Sequence, residues 1–530
     1  MDPEENAQVN TERQTAVSAL IDAYSYDHKP QLTDGPKIKV SAAVSTLASA
    51  YEKFRQAMEY NEPHLLRRAA TDRILARRLR AESNSLLVAK GLVNELIRGR
   101  YLKNDHYPES LIEVVGSILE KYRLILHYRD MSTASDDFPW VIRLVSAEIE
   151  EFLVSPYIDD ALANLMLANI KDTITLSDPS LDETHRLIQL RLAVHKNLFK
   201  FDKAMLEFNV FELFYPYWKQ HGHDHVKEVA SGLPQLRSAM DKIISYPLGG
   251  SLTAMARRYT SPFSLLKDSL KREGTAILSD KELFARSISS SYAKRVARER
   301  KRLTTTATRA LIYIFLTKAV LSFAFELPAE SLIYGAVKKV PFLVNFLLPP
   351  FLLFLLTLSI SPPGKSNEGR VISAAKEAVF GDGKAFSDKN RVEVKKRGSS
   401  TSFTLFSIYL LTFVLIFGGI SYLLNYFGFT PFAIALFLFY TSVVTYFGVK
   451  VRESSKELVM AGGKETVGSV TFDFFALPFL RLGSFVSAGL VRFNVLVLFI
   501  SLMVEAPIQV LLEFLEEWIH FAKEKKEEVY

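Results

Sequence analysis

The spacing of apolar residues divides this chain into two halves. From about Ile38 to Arg302, apolar positions recur at the three- and four-residue intervals of amphipathic helices, and strand-like alternation is nearly absent. We therefore predict an all-α protein with a helical cytoplasmic domain over residues 38–302. Residues 1–37 are mostly polar, which predicts a loosely ordered N-terminal arm.

The second half contains apolar stretches that are long enough for a bilayer. A hydrocarbon core of about 30 Å needs about 20 helical residues at about 1.5 Å each. Stretch 485–505 is also apolar but contains Arg492 and Asn494, and a single crossing would place the basic tail outside. We therefore favour a re-entrant or interfacial arrangement, or two crossings that also use residues 470–482. The pattern predicts a transmembrane region over 303–506, with spans at about 304–326, 341–360, 402–426 and 431–449.

The last residues, 507–530, have a different pattern. After Pro507, apolar residues fall on one helical face while glutamates and lysines occupy the others. This spacing predicts an amphipathic tail helix that lies along a membrane or a partner.

The distribution of charge predicts an orientation. The net charge is only +7, but basic residues cluster in the run 294–302, in the loop 361–400 and around Arg452. Basic residues flanking spans mark the cytoplasmic side. The first residues lack the basic start and apolar core of a signal peptide, so we expect a multi-pass protein whose N-terminal half is cytoplasmic.

Three segments carry a resemblance to a known group. They are Arg300–Glu326, the stretch from Asn345-Phe-Leu-Leu-Pro-Pro350 to Pro363-Gly-Lys365, and Val504-Glu-Ala-Pro507 with its following helix. Together they resemble pieces of an uncharacterised group of bacterial polytopic membrane proteins, chiefly in the C-terminal half. The resemblance implies a membrane location and no particular activity.

Lys318 stands near the middle of the first predicted span, where a charge costs about 2.5–3.5 kcal/mol. At helical spacing it shares a stripe with Ser322 and Glu326, and it could pair with Glu505. Mid-span Pro349-Pro350 frees carbonyl groups near Asn345, as in the broken helices of transporters. These residues predict either an ion path or a structural role, in which Lys318 extends its ammonium group to the membrane interface or makes one ion pair. We prefer the structural role because one lysine does not make a pathway.

Two other clusters could bind metal. Imidazoles and a carboxylate in His221-Gly-His223-Asp-His225 suit zinc, nickel or copper, but lack one residue of the His-x-His-x-Asp-His spacing of metallo-β-lactamase-type hydrolases. We interpret this motif as a polar loop. Glu148 and Glu151 lie one helical turn apart, and we interpret them as part of a solvated helix face. No cofactor is predicted, and the absence of cysteine excludes thiolate chemistry.

The helix around residues 64–80 is rich in arginine. Such a helix can contact lipid headgroups or nucleic acid, because both are polyanions. No nucleic-acid module or interleaved aromatic residue accompanies it, so we interpret it as a surface helix paired with acidic neighbours. Anionic-surface contact is the alternative for Arg67, Arg68, Arg73, Arg77, Arg78 and Arg80.

These observations favour a membrane-anchored scaffold or interaction module over an enzyme. The lipid bilayer is the expected partner, and anionic headgroups, a protein partner and a homo-oligomer stay open. One alternative is a small transporter or channel that uses Lys318, Glu326, Asn345 and Glu505. The second is a membrane-bound metal-dependent hydrolase that uses His221, His223 and His225.

Overall fold

The structure is a computed structural model of the chain. Of the residues that it describes, 83% are helical and 2% lie in strands, so the all-α prediction is confirmed. The described residues are 3–25, 32, 35–41, 45, 63–129, 137–179, 181–335, 337–358, 364–381, 386, 392–395, 399–455, 458–460, 467–492 and 518.

The chain forms two compact units. The N-terminal unit comprises residues 14–168, 181–253 and 496–530, and the C-terminal unit comprises 1–13, 169–180 and 254–495. The predicted boundary at residue 302 falls inside a continuous helix, Lys281–Leu321. The basic run before the first predicted span is therefore helical rather than a linker.

Most helices of the N-terminal unit pack around one apolar core. Helix α3 (Ser85–Arg98) shows why: the Asn84 side chain accepts from the amides of Leu86 and Leu87 at its start, and Val88 and Leu92 lie one turn apart on its buried face. The helices that lie in or reach into this unit are α1 (Pro3–Ser25), α2 (Pro63–Ala81), α3 (Ser85–Arg98), α4 (Ser110–Tyr128), α5 (Phe138–Leu153), α6 (Tyr157–Ile170), α7 (Glu183–Leu198), α8 (Lys203–Phe214), α9 (Trp218–Ile244) and α10 (Gly249–Arg257).

Helix α1 occupies most of the predicted loose arm. Its apolar residues Ala16, Leu20 and Ala23 are buried, and their spacing of four and three makes a narrow stripe on one face. That stripe is the physical reason why a mostly polar segment is helical here.

The C-terminal unit combines long helices with one small sheet. Strands β1 (Ile174–Ser177) and β2 (Val392–Lys395) pair in parallel, with Ile174 opposite Val392. Its helices are α11 (Thr260–Glu273), α12 (Lys281–Leu321), α13 (Leu327–Tyr334), α14 (Lys339–Leu358), α15 (Lys365–Phe380), α16 (Ser399–Tyr426), α17 (Pro431–Ser455) and α18 (Val467–Arg492), with a 3₁₀ turn at Thr275–Leu278 and a π-helical turn at Ser322–Glu326.

Three helices are long and apolar enough to cross a membrane. They contain the stretches Lys339–Leu356, Phe403–Tyr426 and Pro431–Lys450, which overlap three of the predicted spans. The other predicted span, 304–326, is helical but is not among the three, and it includes Arg309 and Lys318. Glu505 and the tail helix, apart from Trp518, lie outside the described residues.

Candidate functional site

The polar residues of the first predicted span converge on one carboxylate. Lys318 donates from Nζ to Glu326 Oε2 at 2.8 Å, and Ser322 donates from Oγ to the same oxygen at 2.7 Å. Lys318 is 1% exposed and Glu326 is 2% exposed. Eight helical positions rise about 12 Å, so both long side chains reach along the helix to meet beside Ser322.

Two neighbouring helices complete the enclosure of this pair. Asn345 of α14 donates from Nδ2 to Glu326 Oε1, while its own Oδ1 is buried without a hydrogen-bond partner among the described residues. The ring of Tyr440 on α17 lies 3.9 Å from Lys318 Nζ, close enough for a cation–π contact. The structure thus brings Lys318, Glu326 and Asn345 together.

A π-helical turn over Ser322–Glu326 positions the carboxylate. Its amide–carbonyl bond runs from Leu327 N to Ser322 O, five residues back. Pro328 explains this widening, because proline has no amide hydrogen for the carbonyl of Ala324 and its ring would clash there. Single π turns inside α-helices are frequent at functional sites.

A second buried carboxylate lies one turn beyond the first. Glu330 is 2% exposed and accepts a hydrogen bond from Thr430 Oγ1 at 2.8 Å. Thr430 Oγ1 in turn accepts from Ala433 N at the start of α17. Among the described residues, no lysine or arginine lies within ion-pair distance of Glu330.

Sequence reasoning missed Glu330, Thr430 and Tyr440. The four-residue interval from Glu326 to Glu330 was an available signal, because it places both carboxylates on one helical face. The described part of the cluster therefore holds two carboxylates and one ammonium group. When both carboxylates are ionised it carries one formal negative charge, which a bound cation would neutralise.

The N-terminal unit contains a different buried network around Glu148. This carboxylate accepts from Lys121 Nζ at 2.5 Å, from Tyr122 OH at 2.7 Å and from Trp218 Nε1 at 2.9 Å. Burial and the adjacent Glu148 raise the pKa of the Tyr122 hydroxyl, which keeps it a donor.

Glu151, one turn further along α5, is also enclosed. It pairs with Lys219, accepts from Asn209 Nδ2 at 3.1 Å, and shares Lys219 with Glu212. Burial raises its pKa to about 8, although the Lys219 ammonium group acts in the opposite direction. The interpretation of Glu148 and Glu151 as a solvated face was wrong, because apolar residues surround both carboxylates on α5.

The histidine motif lies on a helix, so its interpretation as a polar loop was wrong. Buried Gly222, Val226 and Val229 recur at helical spacing through α9 and fix its conformation. His223 Nε2 lies 3.5 Å from Ser117 Oγ, whereas His225 Nδ1 lies 3.1 Å from Glu228 Oε2.

These two imidazoles have separate partners because positions two apart lie about 200° apart around a helix. Within the described part of the chain, no group of three histidine, aspartate or glutamate side chains is arranged to hold a metal. The side chain of His221 lies outside that part.

The arginines of α2 make contacts within the N-terminal unit. Arg67 makes a two-pronged bond to buried Glu150, with distances of 2.8 Å and 2.5 Å. The other contacts are Arg68 with Asp72 and Asp202, Arg77 and Arg78 with Glu95, Arg73 with the Ala69 carbonyl, and Arg80 with the Phe138 ring.

Comparisons with protein-family models, curated proteins and solved structures find no match to this chain. What the fold and the site define is a class: an all-α protein with three helices that are long and apolar enough to cross a membrane.

Proposed function

We propose that this chain is a multi-pass integral membrane protein whose N-terminal unit acts as a cytoplasmic scaffold or interaction module. The single observation that carries the proposal is the enclosure of Lys318. Its charge is compensated by Glu326 and by the Tyr440 ring inside the helix cluster, and Ser322 donates to the same Glu326 oxygen. Large apolar side chains of the same helix, such as Phe315 and Val320, are exposed. A charged group that is tucked into protein in this way suits an anchor in hydrocarbon.

Helix α16 supports the membrane location. Most of its apolar stretch Phe403–Tyr426 is not buried within the molecule, and Phe406, Leu411 and Leu415 are each about 60% exposed. An apolar surface of that length would be costly in water, whereas the hydrocarbon of a bilayer covers it without cost.

An exposed apolar patch on the N-terminal unit supports the interaction role. The patch consists of Val154, Leu213, Phe214 and Tyr217, all of which are exposed. Each lies within one helical turn of a member of the ionic contact that joins Glu151, Lys219 and Glu212. Exposed apolar and aromatic groups that lie close to one another on a surface suit a protein partner.

Alkaline carbonate extraction of membranes from expressing cells tests the anchor. We expect the full chain to stay with the membrane pellet, and its release into the supernatant would overturn the anchor. Protease added to the cytoplasmic face should digest the N-terminal unit. Digestion from the opposite face only would reverse the orientation.

Crosslinking in intact cells tests the scaffold. Replacement of Leu213, Phe214 and Tyr217 by Ser should abolish the crosslinked complex of the full chain. Replacement of Leu87 and Tyr128, which are exposed apolar residues outside the patch, should leave the complex unchanged. A complex that survives the first change, or no complex with the unchanged protein, contradicts the role of the patch.

Cation translocation is the second candidate, and the excess carboxylate at Glu330 favours it. Proteoliposomes that contain the full chain would then pass protons or monovalent cations. Glu330→Gln should remove the flux, and the control Glu282→Gln, at a residue exposed on α12, should retain it. Flux that is lost in the Glu330 variant alone would displace the scaffold-only function, and absence of flux would refute translocation.

A further inference from the structure

A groove in the C-terminal unit runs between α12 and the start of α15. It encloses about 760 Å³, and small residues on α12 form its floor. Its α12 members recur at intervals of three and four, so they share one helical face. Its lining includes Ala297, Arg300, Lys301, Thr304, Lys365 and Glu368.

Three cations line this groove without an acidic partner. Arg300, Lys301 and Lys365 form no ion pair with any described residue, in contrast to Arg295, which lies 3.1 Å from Asp268. The groove contains one carboxylate, Glu368, which accepts from Ser289 Oγ at 2.6 Å. The excess of two positive charges makes the groove complementary to an anion.

A second, apolar groove continues along the same face of α12. It encloses about 580 Å³ between α12 and α14, and its lining is almost entirely apolar. Positions 300, 304, 308, 311 and 315 follow one another at helical spacing from the first groove into the second. Its lining includes Leu311 and Phe315 of α12 and Leu347, Pro350 and Phe351 of α14.

A basic groove next to an apolar groove is complementary to an amphipathic anion, which has a charged headgroup and an apolar chain. From Thr304 to Leu311 the helix rises about 10 Å, so the charged groove and the start of the apolar groove follow each other along one helix. We propose that one anionic phospholipid binds here, with its phosphate at Arg300, Lys301 and Lys365 and an acyl chain in the apolar groove. This inference rests on the proposed membrane location and adds a defined lipid site to it.

Native mass spectrometry of the full chain in a non-phospholipid detergent tests this site. Titration with phosphatidylglycerol should load one lipid per chain, with a preference of at least about tenfold over phosphatidylcholine. Combined Arg300→Gln, Lys301→Gln and Lys365→Gln should abolish the preference. Leu311→Trp, which fills the apolar groove, should weaken binding of both lipids.

A matched control separates a built site from diffuse attraction. Arg286→Gln, Lys294→Gln and Arg298→Gln remove three cations from α12 outside the groove and should keep the preference. The double variant Lys301→Arg with Lys365→Arg keeps both positive charges and should therefore keep the preference for phosphatidylglycerol. That result would show that the loss in the glutamine variant comes from the removed charge and not from misfolding.

Three results would overturn the inference: an equal loss in the control, no loss in the groove variant, and full competition by inorganic phosphate. The last of these would identify a free anion as the ligand instead of a lipid. Carbonate extraction of the same variants distinguishes failure of the lipid site from failure of the proposed membrane location. A chain that stays in the membrane without the lipid preference refutes only the lipid site.

Discussion

The N-terminal and C-terminal units both bury carboxylates, but they compensate them differently. Glu148 has a lysine, a tyrosine hydroxyl and an indole as donors, and its charge is matched by that of Lys121. Around Glu326 and Glu330 the one ammonium group, that of Lys318, contacts only Glu326, and Glu330 has a single threonine hydroxyl as its donor. The comparison teaches that one cation matches one buried carboxylate in the first network, while in the described part of the second network one cation stands beside two buried carboxylates.

The largest expected effect is at the complete network. Glu148→Gln leaves the Lys121 ammonium group buried without a counter-charge, which should lower the free energy of unfolding by about 3–5 kcal/mol. Thermal unfolding of the full chain in detergent, followed by tryptophan fluorescence, measures this loss. Glu113→Gln, at an exposed residue of α4, is the control and should change little. Equal stability of both variants would break the comparison.

The pH dependence of stability should be of comparable size. The pKa of Glu151 is about 8 in the folded chain, above its ordinary value of 4.5, so folding favours the protonated form. The associated stability is present below pH 4.5 and is lost as pH rises to about 8, at about 1.4 kcal/mol per pKa unit. In Glu151→Gln this loss should vanish, and unfolding curves between pH 5 and pH 9 test it. Parallel profiles of the two proteins would contradict the assignment.

Removing the single cation of the second cluster should have a smaller effect. Lys318→Met should cost roughly 2–3 kcal/mol, because Glu326 keeps Ser322 and Asn345 as donors. The double variant with Glu326→Gln should recover most of this stability, since no lone charge remains. Retention of the full chain on size-exclusion chromatography after heating measures both variants. A double variant that is less stable than the single would show that the pair is not compensating.

The smallest effect is expected at Glu330. Glu330→Gln should change the free energy of unfolding by less than about 1 kcal/mol, because no cation loses its partner and the amide oxygen still accepts from Thr430. The same unfolding assay, applied to Glu330→Gln and Glu148→Gln side by side, compares the stability lost when the same replacement is made at two buried glutamates. A loss as large as that of Glu148→Gln would reveal a counter-charge at Glu330.

The sequence predicted the helical class and the apolar stretches because both depend on local periodicity. It also predicted that Lys318, Ser322 and Glu326 share a stripe. The contact of Glu326 with Asn345 could not be derived, because it depends on how α14 packs. Pro328 was visible in the sequence, but the π turn that it causes depends on the helix continuing past it.

The errors had a common physical cause. The segment around His223 was interpreted as a loop because it is polar. The helical spacing of Gly222, Val226 and Val229 indicates a helix instead. Around Glu148 and Glu151, apolar residues occur on every side of α5, and that distribution indicates a helix buried on all faces. In both segments, packing against the rest of the unit determines the structure, and the polar residues alone do not reveal that packing.

The pairing of β1 with β2 bears on the order in which the protein is assembled during synthesis. Ser177 of β1 contacts Glu393 of β2, and the two residues are 216 positions apart along the chain. At about 5–20 residues per second, a ribosome needs roughly 10–40 s to make the intervening segment. Strand β1 therefore leaves the ribosome long before its partner exists, and the C-terminal unit can close only after α12 and α14 have been translated.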